Sequence, residues 1–338
     1  MSFSPNIAIT IGDPNGIGPE VIIRSLCSID LSSSTPIIIS PHSLIKGLVD
    51  TSPLDEIHSL DVHYIHEISQ IKNNEINVFQ STPDWNNVSF DLGNEAIPSS
   101  IGGKISMKSV LDGIHLCLNH TCHALVTAPI SKESIAMAGY SVPGHTEYLM
   151  EITKSKDVVM MLNGKGLNIC LLTTHIPLAK VAESITQSMI QSKINIIVQH
   201  FTTYEQTHYP RIALLGLNPH AGDGGVLGME EEHIYTPIRS QLSQQSIRVE
   251  GPFPADSFFG RRYFQEFDVV LASYHDQGLA PFKLWSMDEG VNITLGLPII
   301  RTSPDHGTAF NIARSWKASA SSMRAAYEKA VQMIIASS

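Results

Sequence analysis

Short apolar runs rich in β-branched residues alternate with stretches of helical periodicity, and this alternation constrains the fold more than any other feature of the chain. The runs fall at residues 7–11, 37–40, 62–65, 124–127, 158–162, 168–173, 212–217, 269–272, 291–295 and 299–302. Several are almost wholly apolar, as strands buried on both faces must be. Between them, Met107, Val110, Leu111, Ile114 and Leu118 recur at the spacing of one helix face, as do Met323, Tyr327, Ala330, Val331 and Ile334. Strands alternating with helices predict an α/β fold with a largely parallel sheet. The polar stretch 81–103, rich in Asn, Ser, Pro and Gly, reads as an irregular crossing segment.

A chain of 338 residues suggests two domains or one large one. Charged residues make up 16%, too few for a disordered chain or a coiled coil. The net charge of −10 disfavours nucleic acid and anionic membrane as partners, yet leaves room for a small anionic substrate held by a few placed cations. Cys27, Cys117, Cys122 and Cys170 form no C-x-x-C pair and read as reduced thiols of a cytoplasmic protein. The first ten residues lack the pattern of a signal peptide, and no apolar run has the length of a membrane span.

Three predicted strands end in the same way. The run 168–173 leads to Thr174-His175, 212–217 to Asn218-Pro219-His220, and 269–272 to Ser273-Tyr274-His275. Ligands of open α/β sheets bind beyond the carboxyl ends of strands. Three imidazoles there would suit a catalytic divalent ion with an open position, although spacings of this length match no local metal motif and each histidine could equally sit in an ordinary turn.

Other segments invite two readings each. The loop from Gly12 to Glu20 joins the first strand to a helix, and is either a tight turn or an anion-binding helix N-terminus. Its G-x-x-x-G-x-G spacing is not the dinucleotide fingerprint. His145 and Thr146 stand at a helix start, as anion donors or as an exposed cap. Lys283, Asn292 and Arg301 lie near strand ends and could form a clamp for carboxylate or phosphate. Arg301 is the best of these, because a charge closing the apolar run 297–300 must be exposed or paired.

Taken in order, Gly12 to Glu20, LVTAPISK (125–132), GHTEYL (144–149), LNPHAGDGG (217–225), GPFPAD (251–256), YHDQGLAPFK (274–283) and GVNITLGLPIIRTSPDHGTA (290–309) resemble the 4-hydroxythreonine-4-phosphate dehydrogenase family nearly end to end. The least family-like part is about 48–98. The resemblance implies two α/β/α domains with a cleft between them, similar to the isocitrate and isopropylmalate dehydrogenases. The first would comprise residues 1–128 plus 282–338. The second, 129–281, would carry most metal ligands and a homodimer interface. It further implies one divalent ion (zinc, magnesium or cobalt) on His175, His220 and His275, with His275 supplied by the partner chain. Substrate contacts carry over to His145, Thr146, Lys283, Asn292 and Arg301, and NAD or NADP to the loop Asp305-His306-Gly307-Thr308-Ala309, expected to end a strand and open a helix.

The implied reaction is oxidation of 4-phosphooxy-L-threonine at C3 and loss of carbon dioxide from the β-keto acid, in vitamin B6 biosynthesis. Asp256 and Lys283 are the candidate acid–base groups, with an N-cap as the simpler reading of Asp256. Asp276 would orient His275 or serve as a cap. Competing readings are a dehydrogenase of 4-phospho-D-threonate or 4-phospho-D-erythronate, a metal-dependent phosphohydrolase, and a non-catalytic binding protein.

Overall fold

A computed structural model of the protein describes residues 4–88, 90 and 96–337. Among these, twelve strands form: β1 (Asn6–Thr10), β2 (Thr35–Ile39), β3 (Val62–Ile65), β4 (Ile76–Phe79), β5 (Ala124–Thr127), β6 (Val159–Gly164), β7 (Leu167–Leu171), β8 (Ile212–Leu215), β9 (Val249–Phe253), β10 (Val269–Ala272), β11 (Val291–Leu295) and β12 (Ile300–Pro304). The ten predicted strands are all present, and the fold is α/β with a mixed sheet.

Two strands were not expected from the pattern. β4 is only four residues long and follows the polar run Lys72-Asn73-Asn74-Glu75. β9 contains Gly251-Pro252, which a strand interior would exclude, but β9 is an edge strand beside β8, with a register shift there. The irregular reading of 81–103 also needs correction at its end. The helix Ser100–Leu118 already begins at Ser100, because Ser99 Oγ accepts the Gly102 N–H at 3.1 Å and caps it. Residues 89 and 91–95 of that stretch lie outside the described residues.

The chain divides into two compact units. The first comprises Met1–Ser155 and Leu297–Ala336. Its strands run in the order β3-β4-β2-β1-β5-β12, with parallel pairing at each junction. β2 and β5 are buried at every residue, which explains their unbroken apolar runs. The Ser100–Leu118 helix packs on β1 and β2, and Ser109 satisfies backbone at the ends of both: its Oγ donates to Ile39 O, the last residue of β2, at 2.7 Å and accepts the N–H of Ile11, just past β1, at 3.1 Å.

The second unit, Lys156–Gly296, orders its strands β11-β6-β7-β10-β8-β9. β6 pairs antiparallel with β7 and β11, and the others pair parallel. Phe258, Phe264, Phe267, Phe282 and Leu279 pack on β7, β8 and β10 to form its core.

Both unit boundaries lie later than the 128/129 and 281/282 divisions expected from the sequence, for reasons of packing. The Lys132–Met137 helix lies so close to Ser100–Leu118 that a Cβ on Gly103 would meet Ser134 O, which ties it to the first unit. β11 pairs with β6, and Gly164 abuts Phe282 and Ser286, which ties 282–296 to the second. No helix among the described residues is long and apolar enough to cross a membrane.

Candidate active site

All three candidate metal ligands belong to the second unit, each just beyond the carboxyl end of a strand. His175 follows β7, His220 follows β8, and His275 is the first residue of the helix His275–Ser286 after β10. Two of these loops are tied together: Leu172 N–H donates to Ala272 O and Thr173 Oγ1 to Ser273 O, both at 2.8 Å. Each tie lies two or three residues before a histidine, and the rings of His175 and His275 lie 5.7 Å apart. His275 Nδ1 is 2.7 Å from Asp276 Oδ1, leaving Nε2 for an ion in the carboxylate–histidine arrangement that fixes a ligand's tautomer. Asp276 thus bonds the imidazole of His275 and does not cap the helix, whose N-cap is Tyr274.

His220 is built differently. His220, Ala221, Gly222, Asp223 and Gly224 all have positive φ, between 45° and 82°. A left-handed run costs about 1–2 kcal/mol for each residue with a Cβ, so the glycines at 222 and 224 relieve only part of it. Glu231 offsets the strain from below: Oε1 accepts Asn218 N–H at 2.7 Å and Oε2 accepts Asn218 Nδ2 at 2.9 Å. His175 and His220 are exposed and His275 is partly so. Among the described residues of the single chain, no three His, Cys, Asp or Glu side chains gather closely enough to hold an ion. The donor chemistry fits a divalent ion, while the single chain pairs only His175 with His275.

The remaining candidates divide between the units. In the first, Arg301 on β12 is only 3% exposed, and its Nε and Nη2 donate to Thr127 Oγ1 at 3.2 and 2.7 Å. Burial lowers its pKa to about 10, still charged at neutral pH. His145 and Thr146 open the helix His145–Thr153, whose N-cap is Gly144, so neither is the exposed cap of the simpler reading. His145 Nε2 is shielded from solvent with no hydrogen-bond partner among the described residues. Burial, then the nearby Arg301 charge, hold this imidazole well below its ordinary range and therefore neutral.

Lys283 and Asn292 lie in the second unit, on the His275–Ser286 helix and on β11. Asn292 Oδ1 is also shielded and lacks a hydrogen-bond partner among the described residues. Asp256 is exposed and sits second in the helix Ala255–Gly260, whose N-cap is Pro254; the N-cap reading is therefore incorrect.

The candidate cofactor loop follows β12 as expected, but it opens a short 3-10 turn, Phe310–Ile312, rather than an α-helix, because Ala309 is left-handed at φ 41°. Asp305 N–H donates to Ser322 Oγ at 3.0 Å. His306 Nδ1 is 3.1 Å from Gly307 O, and burial lowers its pKa. The Gly12 to Glu20 loop supports this segment. Ile17 N–H, at the start of helix Gly18–Leu26, donates to Thr308 O at 2.9 Å, and Arg314 Nη2 donates to Asn15 Oδ1 at 3.1 Å. A Cβ on Gly16 would lie 2.8 Å from Thr308 O. The helix N-terminus thus serves the 305–309 loop, which leaves the tight-turn reading favoured over an anion site.

Thr127, Glu231 and Asn218 were not singled out by sequence. Thr127 ends the predicted strand 124–127, and Glu231 stands between two other glutamates, Glu230 and Glu232, with nothing local to mark it as buried.

Residues 32–330 match the family model of the pyridoxal phosphate biosynthetic protein PdxA. The chain belongs to the PdxA family. It is 38% identical over 334 residues to a 4-hydroxythreonine-4-phosphate dehydrogenase of Trichlorobacter lovleyi, covering 97% of each chain. It is 36% identical to a D-threonate 4-phosphate dehydrogenase of Pectobacterium atrosepticum, covering 98% of this chain and all of the relative. The crystal structure of a 4-hydroxythreonine-4-phosphate dehydrogenase from Klebsiella pneumoniae superposes with a TM-score of 0.85 at 33% identity, covering 99% of each chain. The PdxA motifs quoted from this sequence therefore stand within a fold that is shared over its whole length.

Proposed function

We propose that this PdxA family member is an NAD- or NADP-dependent oxidoreductase that oxidises 4-hydroxythreonine-4-phosphate (4-phosphooxy-L-threonine) at C3. The β-keto acid then decarboxylates to 3-amino-2-oxopropyl phosphate, a step of vitamin B6 biosynthesis. The observation that carries this reading is the match over 97% of both chains to a relative of that name. We place the enzyme in the cytoplasm as a homodimer. Its ion is held by His175 and His220 of one chain and by His275 of a second copy.

When bound, a divalent ion would supply Lewis-acid polarisation of the substrate hydroxyl, and a nicotinamide would supply the hydride acceptor. The chain's own groups bind and orient. Arg301, charged and held flat by Thr127, takes a carboxylate or phosphate end in two parallel hydrogen bonds. Neutral His145 donates one proton to the same class of oxygen, alongside Thr146. Lys283 and Asn292, in the second unit, bind the same classes of substrate oxygen, and holding the reacting groups in place lowers the entropic cost of the reaction. Asp256 or Lys283 carries the proton that leaves the C3 hydroxyl. The 305–309 loop seats the cofactor on the platform of Asn15, Gly16 and Ile17.

A second reading, oxidation of 4-phospho-D-threonate, is favoured by the full-length match to the Pectobacterium relative. The test is reduced-nicotinamide formation by purified protein with each substrate, with NAD or NADP, with and without chelator and added zinc, magnesium or cobalt. Chelator-sensitive turnover of the amino substrate is expected, and His220→Ala is expected to lower it about a thousandfold. Preference for the phospho-sugar acid assigns the second reading. Phosphate release without nicotinamide would overturn both.

A further inference from the structure

We infer that one π-helical turn, Glu231–Tyr235, braces both the loop bearing His220 and the loop bearing His275, so that Glu231 and Tyr235 are positioning residues for the ion ligands that these loops present. This rests on the ligand assignment proposed above. The turn precedes the helix Thr236–Gln244 and sends two buried side chains toward two different strand ends. Glu231, 3% exposed, accepts the backbone N–H of Asn218 and, beside Glu230, shares its side-chain amide, two residues before His220. The fit is close: a Cβ on Gly222 would lie 2.8 Å from Glu231 Oε2, and one on Gly216 3.1 Å from Oε1.

One turn of chain later, the fully buried Tyr235 reaches the other loop. Its hydroxyl is 2.7 Å from Ser273 Oγ, two residues before His275. Ser273 Oγ itself donates to Leu215 O at 3.2 Å, at the end of β8, so the tyrosine hydroxyl is the donor to serine. Gln277 closes the circuit: its Oε1 accepts Ser273 N–H at 2.7 Å and its Nε2 donates to Gly216 O at 2.6 Å. The ends of β8 and β10 are therefore cross-linked three ways by side chains. π-turns inserted before α-helices recur at functional sites because they re-aim side chains that regular spacing would misplace. Here the turn lets one short segment grip both histidine loops, and it counters the strain of the left-handed run.

The test uses the full-length protein and the ions themselves. Affinity for zinc and cobalt is measured by competition with a chromogenic chelator, and the visible spectrum of the cobalt-loaded protein is recorded. Tyr235→Phe removes one oxygen and keeps the ring. Glu231→Gln keeps the shape but turns a donor toward Asn218. Each is expected to weaken ion affinity about 10- to 100-fold and shift the cobalt bands, leaving NAD affinity unchanged. Wild-type affinity and spectrum in a folded Tyr235→Phe protein would overturn the inference, even where Glu231→Gln fails to fold. His220→Ala is the control. If it abolishes ion binding while Tyr235→Phe does not, the strut alone is wrong. If it too leaves ion binding intact, the ligand assignment is wrong and the strut falls with it.

Discussion

Arg301 lies almost wholly buried on β12 with its guanidinium already bonded to Thr127, whereas His175 and His220 stand exposed on loops beyond β7 and β8. The anion clamp proposed for the first unit is made rigid by the sheet itself. A residue on a buried strand has one backbone geometry, and a charge placed there persists only with a partner in reach. The imidazoles of the second unit owe their positions to loops, one of them strained, and need a separate hydrogen-bond scaffold to hold them. Two routes to preorganisation thus coexist: burial on a strand for the proposed anion clamp, and braced loops for the proposed ion ligands.

The largest expected effect on this contrast comes from Arg301→Lys. Lysine keeps the charge but loses the planar fork and the two bonds to Thr127. We expect kcat/KM to fall about 100-fold, or roughly 3 kcal/mol, with ion affinity unchanged. A fall below tenfold would mean that the buried guanidinium is structural only.

A smaller effect is expected at the platform of the cofactor loop. In Gly16→Ala the new Cβ would press on Thr308 O, displacing the 305–309 loop by tenths of an ångström. We expect KM for the nicotinamide to rise about tenfold, the cost of about 1–2 kcal/mol typical of overpacking, with substrate KM and ion affinity held. An unchanged cofactor KM would detach that loop from cofactor binding.

The smallest effect concerns pH. Burial keeps His145 neutral in the native state, while in the unfolded chain it takes up a proton near pH 6.5. Below that value the unfolded state binds the extra proton and the native state does not. Stability is therefore complete above about pH 6.5 and falls as pH drops toward the lowered native pKa. His306 and His42, both lowered chiefly by burial, add slopes of the same sign. Melting temperature should decline by a few degrees from pH 7 to pH 5.5, and His145→Gln should flatten the decline. An equal slope in both proteins would place the effect elsewhere.

Much of this architecture is readable from residue pattern, because strands buried on both faces leave apolar runs and a histidine after such a run must lie at a strand end. Short strands escape that reading. β4 is flanked by polar residues, and β9 carries the Gly-Pro of an edge strand. The two unit boundaries also escape it, since they depend on which helix packs against which, as Gly103 against Ser134 illustrates.

Sequence by itself determined the α/β class, the order of the chemistry-bearing motifs and the family. These follow from local periodicity and from residues that keep their spacing. Only the tertiary structure decided that Arg301 is buried on Thr127, that Gly16 lies beneath Thr308, and that Glu231 and Tyr235 brace the histidine loops. Each of these pairs residues distant in the chain or on separate elements. Such contacts arise from packing, and no local pattern of residues encodes them.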